Sequence, residues 1–121
     1  MPSDALVTVH RLVVPDFVPT PLNKLMRGRI RDRIRLACGD RQLIAYYARE
    51  QGLPLATARR RVSIVITGTR ADPDGLLKSL LDGLVHAGLL VDDSSTWLEL
   101  GHLEVSLSGP RQTTVVLEDL A

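Results

Sequence analysis

The feature that most constrains this chain is a change of period near residue 70. From Arg61 to Thr69, Val62, Ile64 and Ile66 alternate with Arg61, Ser63, Val65 and Thr67. That two-residue repeat belongs to a strand. After Asp72-Pro73 the repeat lengthens, and Leu76, Leu77, Leu80, Leu81 and Leu84 fall on one face of a helix. Asp72 suits the N-cap and Pro73 the first helical position. The helix is expected over about Pro73–Ala87, with Gly88 as its stop. A strand that hands over to a helix in this way suggests helices packed on a sheet.

The remaining segments extend that pattern. Leu6 to Val14 is rich in β-branched residues and reads as a first strand. Pro15, Pro19 and Pro21 then enforce an extended entry. A basic helical region follows from about Leu22 to Gln51, with an apolar stripe of Met26, Ile30 and Ile34. Gly39-Asp40 is a candidate interruption, and Gly52 with Pro54 ends the helix. Trp97–Leu107 and Thr113–Leu117 read as third and fourth strands. The turn Ser108-Gly109-Pro110 predicts that these two form an antiparallel hairpin. The expected fold is α/β, more closely an α+β mixed sheet in the order β-α-β-α-β-β. It has about four strands and two main helices. The length of 121 residues predicts a single domain, 1–121.

Composition removes several function classes. Hydrophobic residues make up 45% and charged residues 24%, so the chain is not of the disordered class. Phe17, Tyr46, Tyr47 and Trp97 are its only aromatic residues, too few for stacking successive bases. Cys38 is the only cysteine, which rules out an intrachain disulfide and a cysteine-built zinc centre. It is expected to be a small buried apolar residue, and Trp97 to fill the core. No apolar run reaches the ~20 residues of a membrane span. Met1-Pro2-Ser3-Asp4 lacks the basic start and apolar block of a secretion signal. The expected setting is the cytoplasm of a bacterial or phage-infected cell, in association with the nucleoid.

Charge is segregated along the chain. Residues 1–70 hold 13 Lys and Arg against 5 Asp and Glu, whereas residues 71–121 hold 2 against 9. The first half is suited to a polyanion, with Lys24, Arg27, Arg29, Arg31, Arg33 and Arg35 flanking the apolar stripe. Arg59, Arg60 and Arg61 form a second cluster. The alternative is that these arginines lie over apolar surface or pair with the acidic half.

The acidic half concentrates its carboxylates. Asp72 and Asp74 stand at the strand-to-helix junction, and Asp74, Lys78, Asp82 and His86 form one helical stripe. Asp92-Asp93 follows the helix. Each has a plain structural use: a cap, an ion-paired solvent face, a surface turn. Taken together, four carboxylates that converge would need a cation, and hard oxygen ligands suit Mg²⁺ or Mn²⁺. Such a site clamps a phosphodiester and activates water, and Lys78 would neutralise charge on the phosphate.

At these residues the chain resembles the RusA family of Holliday-junction resolvases. That family carries D-x-D-N, a Lys four residues on, a further Asp after four more, and a D-D pair behind an apolar G-φ-φ-φ segment. The matching pieces are Asp72-Pro73-Asp74-Gly75, Lys78, Asp82, and Gly88-Leu89-Leu90-Val91-Asp92-Asp93. Pro19-Thr20-Pro21-Leu22-Asn23-Lys24 is similar to the family's proline-then-asparagine entry, and the main match spans residues 62–107. Gly75 stands where the family has Asn, Pro73 separates the two Asp residues, and the basic cluster before the first Asp is reduced to Arg70.

The resemblance implies a homodimeric crossover junction endodeoxyribonuclease. Such enzymes make paired, symmetric nicks in four-way DNA with Mg²⁺ or Mn²⁺. By position, Asp72, Asp74 and Asp93 would hold the metal, with Asp92 and Asp82 in support. Lys78 would be the catalytic lysine, and Arg70 would join the basic residues that contact DNA. Two rival expectations stand beside it. One is a junction-binding module of the same fold that has lost cleavage. The other is a structural α/β dimer whose charged halves complement each other.

Overall fold

A computed structural model of the chain describes residues 8–21 and 30–120. Its elements are β1 (Val9–Pro15), α1 (Ile30–Glu50), β2 (Arg60–Thr67), α2 (Pro73–His86), β3 (Leu98–Ser106) and β4 (Gln112–Asp119). This is the expected β-α-β-α-β-β order. The four strands form one mixed sheet in the order β1-β4-β2-β3. β2 runs parallel to β3 and antiparallel to β4, and β4 runs antiparallel to β1.

The strand order corrects the expected β3–β4 hairpin, because β2 lies between the two. The physical reason is the crossover. A helix between two strands returns the chain to the starting end and lays the second strand parallel beside the first. β3 therefore takes one edge of β2, and β4 takes the other. The turn at Ser108-Gly109-Pro110 exists, but it carries the chain across the C-terminal end of β2. There the Thr67 hydroxyl donates to the Pro110 carbonyl. Gly68 has φ +78°, and a Cβ on it would stand 2.6 Å from the Arg111 Cα. Only glycine permits so close a crossing.

One sheet face carries the core. Leu12 and Val14 of β1, Val62, Ile64 and Ile66 of β2, and Val115 and Leu117 of β4 are buried on it. Leu76, Leu80 and Leu84 of α2 cover them, with Ile44 and Ala48 of α1. The apolar spacing read from the sequence thus becomes the core face of α2.

α1 departs from expectation in two ways. It continues through Gly39-Asp40 without a break. Its expected apolar stripe does not reach the core, since Ile30 is 66% and Ile34 58% exposed. Met26 lies outside the described residues. Among the described residues, the buried hydrophobics of α1 are Ile44 and Ala48 in its C-terminal half, so periodicity in its first turns does not mark the core face. Cys38 is exposed rather than buried, and Trp97 is half-buried outside the core cluster. Among the described residues, no helix is long and apolar enough to cross a membrane.

Candidate acidic site and nucleic-acid interface

β2 ends at Thr67, and the chain turns through Gly68-Thr69-Arg70-Ala71 into α2. The Ala71 N–H donates to the Thr69 hydroxyl at 3.1 Å. Asp72 occupies the N-cap with extended φ and ψ of −63° and 127°, yet its side chain caps nothing. Its backbone carbonyl accepts from the Leu76 N–H. Asp74 lies in the first turn of α2 and Lys78 one turn further on. All three side chains are exposed, and none forms a hydrogen bond or ion pair with a described residue.

The two structural uses open to these residues are therefore not made. The cap is absent, and the expected ladder of Asp74, Lys78 and Asp82 is not paired. Asp82 instead accepts from Arg41 Nε at 2.9 Å, tying α2 to α1. Asp72, Asp74 and Lys78 are left together at the C-terminal end of the central strand.

Asp92 and Asp93 are exposed as well and carry no side-chain bond to a described residue. They belong to the opposite end of the sheet. On one flank, the Leu89 carbonyl accepts from Arg60 Nη1 at 2.9 Å. On the other, the Trp97 carbonyl accepts from the Arg60 N–H at 3.1 Å. Arg60 is the first residue of β2, whereas Asp72 follows its last. The 14-residue α2 separates the two ends, a distance of about 20 Å by helical rise. One chain does not bring the four carboxylates together. Consistently, no group of three or more His, Cys, Asp or Glu side chains converges to hold a metal ion among the described residues.

Among the basic residues, Arg31 and Arg35 are exposed on α1, and Arg70 is exposed ahead of Asp72. Lys24, Arg27 and Arg29 lie outside the described residues, as does the side chain of Arg33. The second cluster is engaged within the fold. Arg60 is 2% exposed and donates from Nε to Asp119 Oδ1 at 2.6 Å. Arg61 donates to Glu99 and lies 3.5 Å from Glu118, and Arg59 lies 3.8 Å from Glu99. These arginines pair with acids of the second half, because parallel and antiparallel neighbours of β2 bring Glu99 and Glu118 alongside Arg61.

The sequence reading missed two features near the acidic end. Asp40 of α1 accepts from the Thr20 N–H at 2.7 Å and the Thr20 hydroxyl at 3.1 Å. The Thr20 carbonyl in turn accepts from the Ser79 hydroxyl at 2.5 Å. Burial pushes the Asp40 carboxyl above its ordinary value, and the two Thr20 bonds pull it part of the way back. This network fixes the proline-rich entry between both helices. The second feature is Arg111, held beside Gly68 by the crossing loop. The only local signal for it is its place after Gly109-Pro110, which is a turn signal rather than a binding one.

The donor set at the start of α2 fits a hard cation in part. Asp72 and Asp74 offer carboxylate oxygens that no described cation neutralises, and Mg²⁺ binds through one or two carboxylates while retaining several waters. No family model matches the chain, and no curated protein matches it.

Proposed function

We propose that this chain is a divalent-cation-dependent endonuclease that nicks four-way DNA and works as a homodimer. One observation carries the reading: Asp72, Asp74 and Lys78 stand exposed at one strand end without the cap or ion pairs that would explain them structurally. The resemblance of residues 62–107 to RusA resolvases supports the same reaction.

In this reading, Asp72 and Asp74 would hold Mg²⁺ or Mn²⁺ against a phosphodiester. When bound, the cation supplies positive charge for the developing anion and lowers the pKa of water. Lys78, one turn along α2, brings its ammonium charge to the same phosphate. Arg31, Arg35 and Arg70 contribute phosphate contacts that orient the duplex arms without reading sequence. Asp92 and Asp93 complete the site from a second copy. A two-fold axis that sets the α2 helices antiparallel brings the Asp72 end of one copy to the Asp92 end of the other. Two such sites serve two opposed strands.

The test compares a labelled mobile four-way junction with a matched linear duplex, in Mg²⁺, Mn²⁺ and EDTA. Cation-dependent nicks on the junction are expected, with a loss of at least about 100-fold in Asp74→Asn. Cleavage that survives Asp74→Asn would remove the assigned site. Junction binding with no nicks in any cation would assign a binding module instead, a reading to which Gly75 in place of the family's Asn lends weight.

A further inference from the structure

A cleft of about 290 Å³ opens at the same end of the sheet as Asp72 and Asp74. Among the described residues its walls include Pro19, Thr20 and Pro21 of the entry segment, Leu36 of α1, Thr69 and Arg111. We propose that this cleft seats a phosphate of the DNA strand next to the one at Asp72 and Asp74, with Arg111 as its cationic donor. The proposal rests on the endonuclease reading and adds a strand-positioning site to it.

Four observations lead there. First, the lining residues offer the Arg111 guanidinium and the Thr69 hydroxyl, the chemistry that recognises an oxyanion, while the Thr20 hydroxyl is spent on Asp40 behind the wall and no carboxylate lines the cleft itself. Second, Arg111 is exposed and its charge lowers the Asp40 carboxyl from a distance, but it makes no hydrogen bond or ion pair with a described residue. Its five N–H donors are available to a ligand. Third, the frame is rigid. The Arg111 backbone is pinned on Gly68, and Thr20 is buried and bonded to both Asp40 and Ser79. Fourth, the cleft is contiguous with the acidic turn. The Thr69 hydroxyl in its wall accepts from the Ala71 N–H, leaving its own hydrogen to donate, and Asp72 is the next residue.

Lys78 and Arg111 are the only Lys or Arg residues after position 70. One lies on the turn that follows Asp74, and the other lines the cleft. Phosphates recur along each strand at roughly 3.4 Å of helix axis, so a strand lying across the acidic turn carries a neighbouring phosphate to the cleft.

The test measures binding of a labelled four-way junction in EDTA across a salt series, for wild type, Arg111→Gln and Arg111→Lys. Arg111→Gln is expected to weaken binding about 10-fold and to flatten the log–log salt slope by about 0.9, the mark of one lost phosphate contact. Arg111→Lys should retain most of the slope, and both variants should keep the wild-type melting temperature. Wild-type affinity and slope in Arg111→Gln would overturn the proposal. So would a loss of affinity that tracks a lowered melting temperature in both variants, which marks a structural role. The two claims fail separately. If wild type binds without nicking and Arg111→Gln still binds weakly, the cleft stands and the endonuclease reading falls. If wild type nicks and Arg111→Gln binds normally, the cleft alone falls. A wild type that does not bind the junction removes both.

Discussion

Arg60 shows how a single residue can oppose its class. Its sequence context, Arg59-Arg60-Arg61, resembles a nucleic-acid patch, yet its guanidinium is buried and bonded to Asp119 and to the Pro54 and Leu89 carbonyls. His10 Nε2 lies 3.0 Å from the other Asp119 oxygen. Burial pushes Asp119 up, but hydrogen bonds from Arg60 and His10 outweigh it and hold the carboxyl below its ordinary value. A depressed carboxylate stabilises the fold above its unfolded pKa of about 3.9 and loses that contribution as pH falls through the folded value. Asp119→Ala strands a buried cation and should cost about 3 kcal/mol at neutral pH in chemical denaturation. The deficit relative to wild type should shrink below about pH 4. A deficit independent of pH would show that packing, not charge, is what Asp119 supplies. The contrast with Asp72, Asp74 and Lys78 is direct: Arg60 is consumed by the fold, and they are not.

At the scale of elements, two glycines separate local preference from tertiary demand. Gly39 lies inside α1, where an added Cβ would meet nothing within 4 Å, so Gly39→Ala should stabilise by about 0.5–1 kcal/mol. Gly68 has positive φ and faces the Arg111 backbone, so Gly68→Ala should cost about 2 kcal/mol or more. Thermal melts of the pair check both signs. These elements also show what the sequence makes legible. The period change at residue 70 locates β2 and α2 within a residue or two, because burial alternates along β2 and recurs every three to four residues along α2. Strand order was not legible, since a turn signal at Gly109 states that the chain reverses but not which strand it lands beside. The Ile30 and Ile34 stripe misled because periodicity does not say which part of a helix overlies the sheet. The Arg60 and Arg61 pairings join residues 38 to 59 positions apart, beyond any local reading. The acidic motif itself was visible in full, but its division between two ends of α2 was not.

On the scale of the whole molecule, that division sets the requirement. The length of α2, about 20 Å by helical rise, separates the end that carries Asp72 and Asp74 from the end that Asp92 and Asp93 follow, so in the proposed reading a four-carboxylate site needs a second copy. The first turns of α1, with Ile30 and Ile34 uncovered beside Arg31 and Arg35, add apolar surface to a charged end. The most direct test mixes subunits. Asp74→Asn and Asp93→Asn are each inactive in this account, because either change damages both sites of a homodimer. Refolded together, they form mixed dimers in which one site carries both substitutions and the other carries neither. Nicking of a four-way junction with Mg²⁺ should therefore return in the mixture, on one strand per junction. A mixture that stays inactive while each variant still binds the junction would contradict a site shared between copies, and an active Asp93→Asn protein alone would contradict it as well.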